Sequence, residues 1–453
     1  MAKKKKTIEL INERIRKGAV VVLTAEEMTR YVKEAGPHKA SEEVDVVTTG
    51  TFGAMCSSGV FFNFGHSDPP IKIQKLYLND VEAYSGIAAV DAYLGAAQAS
   101  ETLGEEYGGG HVIEDLVAGR SVLVNARSAG TDCYPSKQFI SRIKMDDLNQ
   151  AILCNPRNSY ERYNAAINSS DRTLYTYMGK LLPAMGNIAY SGAGELSPVI
   201  NDRLFRTLGT GTRILLGGAE GYIIGSGTQH SPGEGFSTLM VKGDLKKMSA
   251  AFLKGASIKG YGPSLYIGLG IPIPVLDEET AKNASISDSE IFVSIIDFGV
   301  KGLNRPCVQR VSYAELKSGR VYIKGEAVPS SPLSSLWGAR KIAEMLKSRI
   351  MNAEFYLTNA VEPISLNEKL KPFKKTENIA GFLHYRREET NLISSGIRID
   401  ENLCINCGFC MAFCPCGVFY FDQEQEVHAN ADKCIQCGKC RDICPQKAII
   451  QGK

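Results

Sequence analysis

Two cysteine runs near the C-terminal end restrict this chain more than any other feature. Cys404, Cys407, Cys410 and Cys414 are followed by Pro415, and Cys434, Cys437, Cys440 and Cys444 by Pro445. Each run has the spacing C-x-x-C-x-x-C-x-x-x-C-P. Two-residue gaps wrap a loop around a small object with little side-chain reach, and the proline fixes the departing backbone. Four converging thiolates suit a 4Fe-4S cubane, and in a doubled run the fourth cysteine ligates the other cluster. Zinc also takes four sulfurs, but a doubled triplet-plus-one pattern ending in proline argues for iron. Gly408 and Gly438 hold matching places and let the chain pass close to sulfide. Two 4Fe-4S clusters are therefore expected.

The doubled run predicts a small two-cluster ferredoxin-like domain attached to a much larger region. A chain of 453 residues is too long for one ordinary core. Its formal charge is only +3, and the basic run at residues 3–6 reads as a solvated tail. No basic stripe interleaved with aromatics follows it, so nucleic acid is not an expected partner. No apolar stretch reaches membrane-spanning length, and no signal peptide is read, so a membrane is not expected either. Thirteen cysteines in a chain of this length do not form a secreted disulfide framework. Iron–sulfur assembly needs reduced thiols, which places the protein in a reducing cytoplasm and favours an anaerobic or microaerobic host.

The large region mixes helical and strand patterns. Ile8, Ile11 and Ile15 fall on one face of a first helix ended by Gly18. Residues 20–23 read as a short strand. Thr24 and Glu27 make a capping box for a helix stopped by Gly36-Pro37. Residues 44–49, 71–76, 121–125, 213–216 and 291–296 read as strands, the 121–125 strand as one buried on both faces. A helix is expected over 339–351, after Trp337. Glycine is dense over 204–235, but no complete G-x-G-x-x-G or phosphate-loop pattern appears, which argues against nucleotide binding. The expected fold class is α/β or α+β for a large glycine-rich domain, with the small ferredoxin-like domain behind it. The boundaries read are 8–360 for the large domain, 361–395 for a linker or small subdomain, and 396–453 for the iron–sulfur domain.

Five cysteines lie outside the two ligand sets. Cys56 follows a strand and sits among Gly53, Ala54, Ser57, Ser58 and Gly59, where amides and hydroxyls can stabilise a thiolate. Cys133 also follows a strand, with Arg127 and Lys137 near enough to favour a thiolate or bind a carboxylate. Cys56 and Cys133 are the catalytic candidates. Cys307 lies between Arg305 and Arg310 and is weaker. Cys154 reads as a core residue, and Cys416 as a small buried hydrophobe beside the first run. His66 and His111 read as hydrogen-bonded loop histidines, and Asp132 and Asp297 as capping acids.

The segment Thr49-Gly50-Thr51-Phe52-Gly53-Ala54-Met55-Cys56-Ser57-Ser58-Gly59 carries a resemblance. So do Asn125-Ala126-Arg127, Cys133-Tyr134-Pro135 and the glycine-rich residues 217–235. On these the large region resembles the homocysteine biosynthesis family. The resemblance implies reductive insertion of sulfide sulfur into L-aspartate semialdehyde, giving L-homocysteine, a methionine precursor. It also implies that the family's two characteristic cysteines match Cys56 and Cys133. The family commonly works with a ferredoxin-like partner; here that module is fused, so a low-potential electron donor is expected to feed it. Sulfide or a sulfur carrier would supply the sulfur. Arg127, Lys137 or Arg213 would hold the substrate carboxylate. Cys56, Cys133 and Cys307 are also the ligand set for a possible third 4Fe-4S cluster. The alternative function is an electron-transfer or assembly subunit docking a separate catalyst. A homo-oligomer is left open.

Overall fold

Helix Ile8–Arg16 forms as its spacing predicts, burying Ile8, Ile11 and Ile15. The capping box is present at the next helix, Ala25–Ala35: Glu27 N–H donates to the Thr24 hydroxyl, and the Glu27 carboxylate accepts from Thr24 N–H. Gly36-Pro37 ends that helix but also begins another, Pro37–Glu43, with the proline in its first turn. The computed structural model describes residues 6–158, 163–300, 305–373 and 396–451. Residues 3–5 of the basic run and residues 374–395 of the expected linker lie outside these. The chain divides into two units, Met1–Lys371 and Pro372–Lys453.

The first unit is a mixed α and β structure built on several sheets with few helices. Its principal sheet has nine strands, and its topology creates the candidate site. Thr51–Ala54 pairs with Gly262–Gly270 toward one edge; Gly59–Asn63 pairs with Gln150–Asn158 and Asp91–Gly95 toward the other. Six strand-to-strand steps separate them along the hydrogen-bonded order, about 29 Å if the sheet were flat. Yet only residues 55–58 join them, and the five Cα–Cα links from Ala54 to Gly59 reach at most about 18 Å. The sheet must therefore curl until its edges approach, and Cys56 lies in the turn that closes the seam.

A second sheet of six strands contains the Val122–Arg127 and Gln138–Ile143 hairpin. Here the expectation of burial on both faces is corrected: Val122, Val124 and Ala126 are buried while Leu123 is exposed. The strand is antiparallel to both neighbours, and its sheet covers the core on one side only. A third, mixed sheet of six strands includes Phe292–Asp297 and Cys307–Ser312 and packs its own core of Ile167, Ile188, Ile295 and Val311. The strand Arg213–Leu216 has the expected bounds. The late helix starts earlier than read, at Leu336, because Ser335 caps it by accepting from Gly338 N–H.

The second unit is small. The strand Ile397–Ile399 pairs with Ile449–Gln451, and Phe419–Phe421 with Val427–Ala429, all antiparallel. Two short helices, Phe409–Phe413 and Lys439–Ile443, follow the third-from-last cysteine of each run.

Candidate active site and iron–sulfur centres

The Cys56 turn is pinned from both sides of the seam. Met55 N–H donates to Leu265 O at 2.7 Å, and Ala96 N–H to Ser58 O at 2.8 Å. The Ser57 hydroxyl donates to Asn155 Oδ1 at 3.2 Å, and Asn155 Nδ2 donates to the Ser58 hydroxyl at 3.0 Å. Asn155 is fully buried, so these bonds satisfy an amide that would otherwise be costly. A Cβ at Gly59 would stand 2.2 Å from the Tyr93 hydroxyl, so a larger residue there would have to push the Tyr93 ring aside.

A bulge in Gln150–Asn158 interrupts its pairing with Leu239–Asp244 between Asn155 and Asn158. Such bulges re-aim side chains, and this one carries Arg157. Its Nε donates to the Thr228 hydroxyl at 3.1 Å and its guanidinium also to Gln229 Oε1 at 3.0 Å. Tyr261 stands in the turn between Leu253–Ile258 and Gly262–Gly270, and its phenol lies near the Cys56 thiol. Burial, then the neighbouring Cys56, raises the Tyr261 pKa above the usual tyrosine range; Arg157 opposes this weakly. Tyr261 is thus held as a neutral phenol, able to donate.

Beyond Tyr261 lies a cleft of about 770 Å³. Tyr177 lines it, with its ring centroid 6.1 Å from that of Tyr261 and 5.7 Å from that of Phe298. Arg157, Arg305 and Arg310 enter it, with Glu234 the carboxylate on its wall. Arg305 lies 4.3 Å over the Phe298 ring and Arg310 5.9 Å from the Phe292 centroid. Cys307 pairs with Ile296, and the pleat puts both on the face carrying Ser294 and Phe292, residues of the cleft wall.

Cys133 sits elsewhere, exposed in the loop of the Val122–Arg127 and Gln138–Ile143 hairpin, 3.5 Å from the Thr131 hydroxyl. Arg127 and Lys137 flank this loop at the strand ends; Arg127 lies 5.6 Å from the Tyr77 centroid, and Lys137 packs beside Gly130. Tyr134 stacks on His66 at 5.9 Å, and the Ser136 hydroxyl bonds Pro69 O. His66 follows the far end of Gly59–Asn63, the strand that Cys56 precedes. Five residues of strand, about 17 Å, thus stand between the two loops. Arg213 is on the principal sheet near Glu220, at 3.8 Å, and Phe355, at 5.9 Å. Arg127, Lys137 and Arg213 do not line the cleft. Cys154 is buried in its strand, and burial pushes its thiol pKa up. Asp297 accepts from Ser169 N–H and Gly299 N–H, an organising acid of a loop. His111 accepts from Gly108 N–H at a helix start, and burial lowers its pKa.

Tyr261, Tyr177 and Arg157 were not among the residues singled out from sequence. The glycines on either side of Tyr261 are a turn signal that the sequence reading did not use, and nothing local tells which loop that turn meets.

In the second unit the matching turns have matching backbones. Gly408 and Gly438 are left-handed, at φ 76° and 71°. Val418 N–H donates to Cys414 Sγ at 3.4 Å and Ala448 N–H to Cys444 Sγ at 3.2 Å. A small cavity is walled by Cys414 together with Cys434, Cys437 and Cys440. This is the crossed donor set expected for one cubane, and the repeat gives Cys404, Cys407, Cys410 and Cys444 for the other. The all-sulfur donors, left-handed glycines and N–H donors aimed at sulfur fit 4Fe-4S clusters. Burial pushes the Cys410 thiol up to about 11 and Cys440 in the same direction, so cluster binding must displace their protons. Cys416 is partly buried on the wall of the Cys414 cavity. The flanks differ: Phe409, Met411 and Phe413 surround the first run, Lys439, Arg441 and Asp442 the second.

A family model described as a homocysteine biosynthesis enzyme for sulfur incorporation matches residues 20–357. The chain belongs to that family. A 4Fe-4S dicluster domain model matches residues 396–445. The chain is 55% identical over 374 residues to the L-aspartate semialdehyde sulfurtransferase of Methanosarcina acetivorans, covering 83% of this chain and 75% of that protein. It is 52% identical over 384 residues to the protein of the same name from Methanocaldococcus jannaschii, covering 82% and 75%. An uncharacterized protein of Methanothermobacter thermautotrophicus is 27% identical over 423 residues, covering 91% and 84%.

Proposed function

We propose that the protein is an L-aspartate semialdehyde sulfurtransferase that makes L-homocysteine, with Cys56 at the reacting carbon. The observation that supports this reading most is the nearness of the Tyr261 phenol to Cys56 beside an arginine-lined cleft, in a chain of this family. The Cys56 thiolate attacks the aldehyde carbon, and the carbonyl pair moves to oxygen, which takes the Tyr261 proton. Hydrogen sulfide then replaces that hydroxyl, and water leaves. Two electrons and two protons cleave the bond between carbon and Cys56 Sγ, releasing the product thiol and the Cys56 thiol. Overall, one aldehyde, one hydrogen sulfide, two electrons and two protons give one thiol and one water. The two 4Fe-4S clusters supply single electrons at low potential.

In this reading residues 8–360 form the sulfurtransferase domain and 396–453 the electron-supplying domain, working in a reducing cytoplasm. Cys133, with Arg127 and Lys137 beside it, is assigned the reception of sulfur at the surface. A carrier persulfide would pass its outer sulfur to Cys133 while the carrier thiolate leaves, and two further electrons and two protons from the same low-potential donor would release it as hydrogen sulfide, regenerating the Cys133 thiol. Anaerobic protein with a low-potential donor, sulfide and L-aspartate semialdehyde is expected to form homocysteine. Cys56→Ser is expected to abolish it with the iron content unchanged, and absence of product from fully loaded wild type defeats the reading. A second reading, a third cluster on Cys56, Cys133 and Cys307, has Cys307 on the cleft face in its favour but the separation of the Cys56 and Cys133 loops against it. Iron analysis separates the two: about eight irons per chain for two clusters, about twelve for three.

A further inference from the structure

Three guanidinium groups enter the cleft beside Tyr261, and their surroundings differ from those of the arginines held in ion pairs. Arg14, Arg120, Arg206 and Arg340 each lie within 3 Å of a carboxylate oxygen. No acidic partner meets Arg157, Arg305 or Arg310 among the described residues. Arg157 is braced by neutral groups, Thr228 and Gln229. Arg305 and Arg310 instead lie against phenylalanine rings. A guanidinium stacked on an aromatic face keeps its edge, with its N–H donors, free for a planar anion. Among the described residues Glu234 is the one carboxylate lining the cleft; it is held by the Ser231 hydroxyl at 3.0 Å, so the described groups carry an excess of positive charge.

We infer that Arg157, Arg305 and Arg310, with Glu234, form the recognition site for the α-carboxylate and α-ammonium groups of a small amino acid. The inference rests on the proposed sulfur transfer only for the identity of that amino acid. Planar guanidinium groups match a carboxylate with paired N–H bonds, and a carboxylate side chain matches an ammonium. The aromatic wall of Tyr177 and Phe298 suits the short methylene stem between them and the reacting end. Tyr177 lines the cleft with its ring centroid 6.1 Å from that of Tyr261, so the charged site borders the turn that carries Tyr261.

The test uses the full-length Cys56→Ser protein with both clusters loaded, and L-homoserine, the alcohol analogue of the aldehyde, as an unreactive probe in calorimetry. L-Homoserine is expected to bind, and 1-butanol, which lacks both charged groups, is not. Adding Arg305→Gln or Arg310→Gln is expected to weaken binding at least about tenfold, with Arg310→Lys recovering part of the loss. Both arginines are exposed or near the surface, so unchanged thermal transitions will separate lost binding from lost folding. No binding of L-homoserine, or binding unchanged by both glutamine variants, overturns the inference. Because the readout is binding, it stands apart from the sulfurtransferase reading. Arginine-dependent binding without homocysteine formation defeats only the proposed reaction; turnover with arginine-independent binding defeats only this site.

Discussion

Tyr261 decides what Cys56 can do. A phenol is neutral at neutral pH, and partial burial with the neighbouring sulfur raises its pKa further, so it remains a proton donor throughout the neutral range. Because its pKa is raised, loss of its proton cannot limit activity until pH passes the ordinary tyrosine range. Tyr261→Phe is expected to lower turnover by about 10²-fold, within the usual contribution of a positioned acid. L-Homoserine binding to the same variant should change little. Equal losses in turnover and binding would mean that Tyr261 shapes the cleft and moves no proton. At this scale sequence reading went half way. Cys56 stood out because its turn is short and rich in glycine and serine, whereas Tyr261 is brought to it by a contact about 200 residues away in the chain, which no local pattern encodes.

The elements that hold the seam leave little room for adjustment. Gly50 precedes the Thr51–Ala54 strand, and a Cβ there would stand 2.2 Å from the carbonyl oxygen of Ala339 in the helix Leu336–Met351. That contact is with backbone and cannot be relieved by a rotamer change. Gly50→Ala is expected to cost at least about 2 kcal/mol in urea unfolding, as overpacking does, and to displace the Cys56 turn. Gly319→Ala is the control: its φ is 86° but the space at its Cβ is open, so only the left-handed backbone cost of about 1 kcal/mol applies. A loss at Gly50 no greater than at Gly319 would show that the helix yields. The short-range elements were legible beforehand: the Thr24 and Glu27 capping box and the strand Arg213–Leu216. The helix Pro37–Glu43 was not, because Gly36-Pro37 carries the same signal for stopping one helix and starting the next. The curled sheet was not legible either, since closure depends on which distant strands pair.

On the scale of the whole molecule, two units of unequal size carry different burdens. The first has several extensive apolar cores. The buried core of the second is Ile397, Cys410, Val418, Phe419, Val427, Cys440 and Ile449 among the described residues, and two of these are cluster ligands. In so small a unit the clusters must serve as core as well as cofactor. Its two halves repeat in backbone but not in charge. Lys439 lies on the wall of the cavity bounded by Cys414, Cys434, Cys437 and Cys440, while the corresponding position of the other half is Phe409. A nearby cation favours the more negative, reduced form of a cluster. Redox titration should therefore resolve two waves, and Lys439→Gln should move the upper one down by on the order of tens of millivolts while leaving the lower in place. Movement of both waves together, or of the lower one alone, would refute the assignment. The duplicated loops then behave as two unequal steps, so that an electron entering on the phenylalanine side runs downhill to the lysine side and current through the pair has a preferred direction.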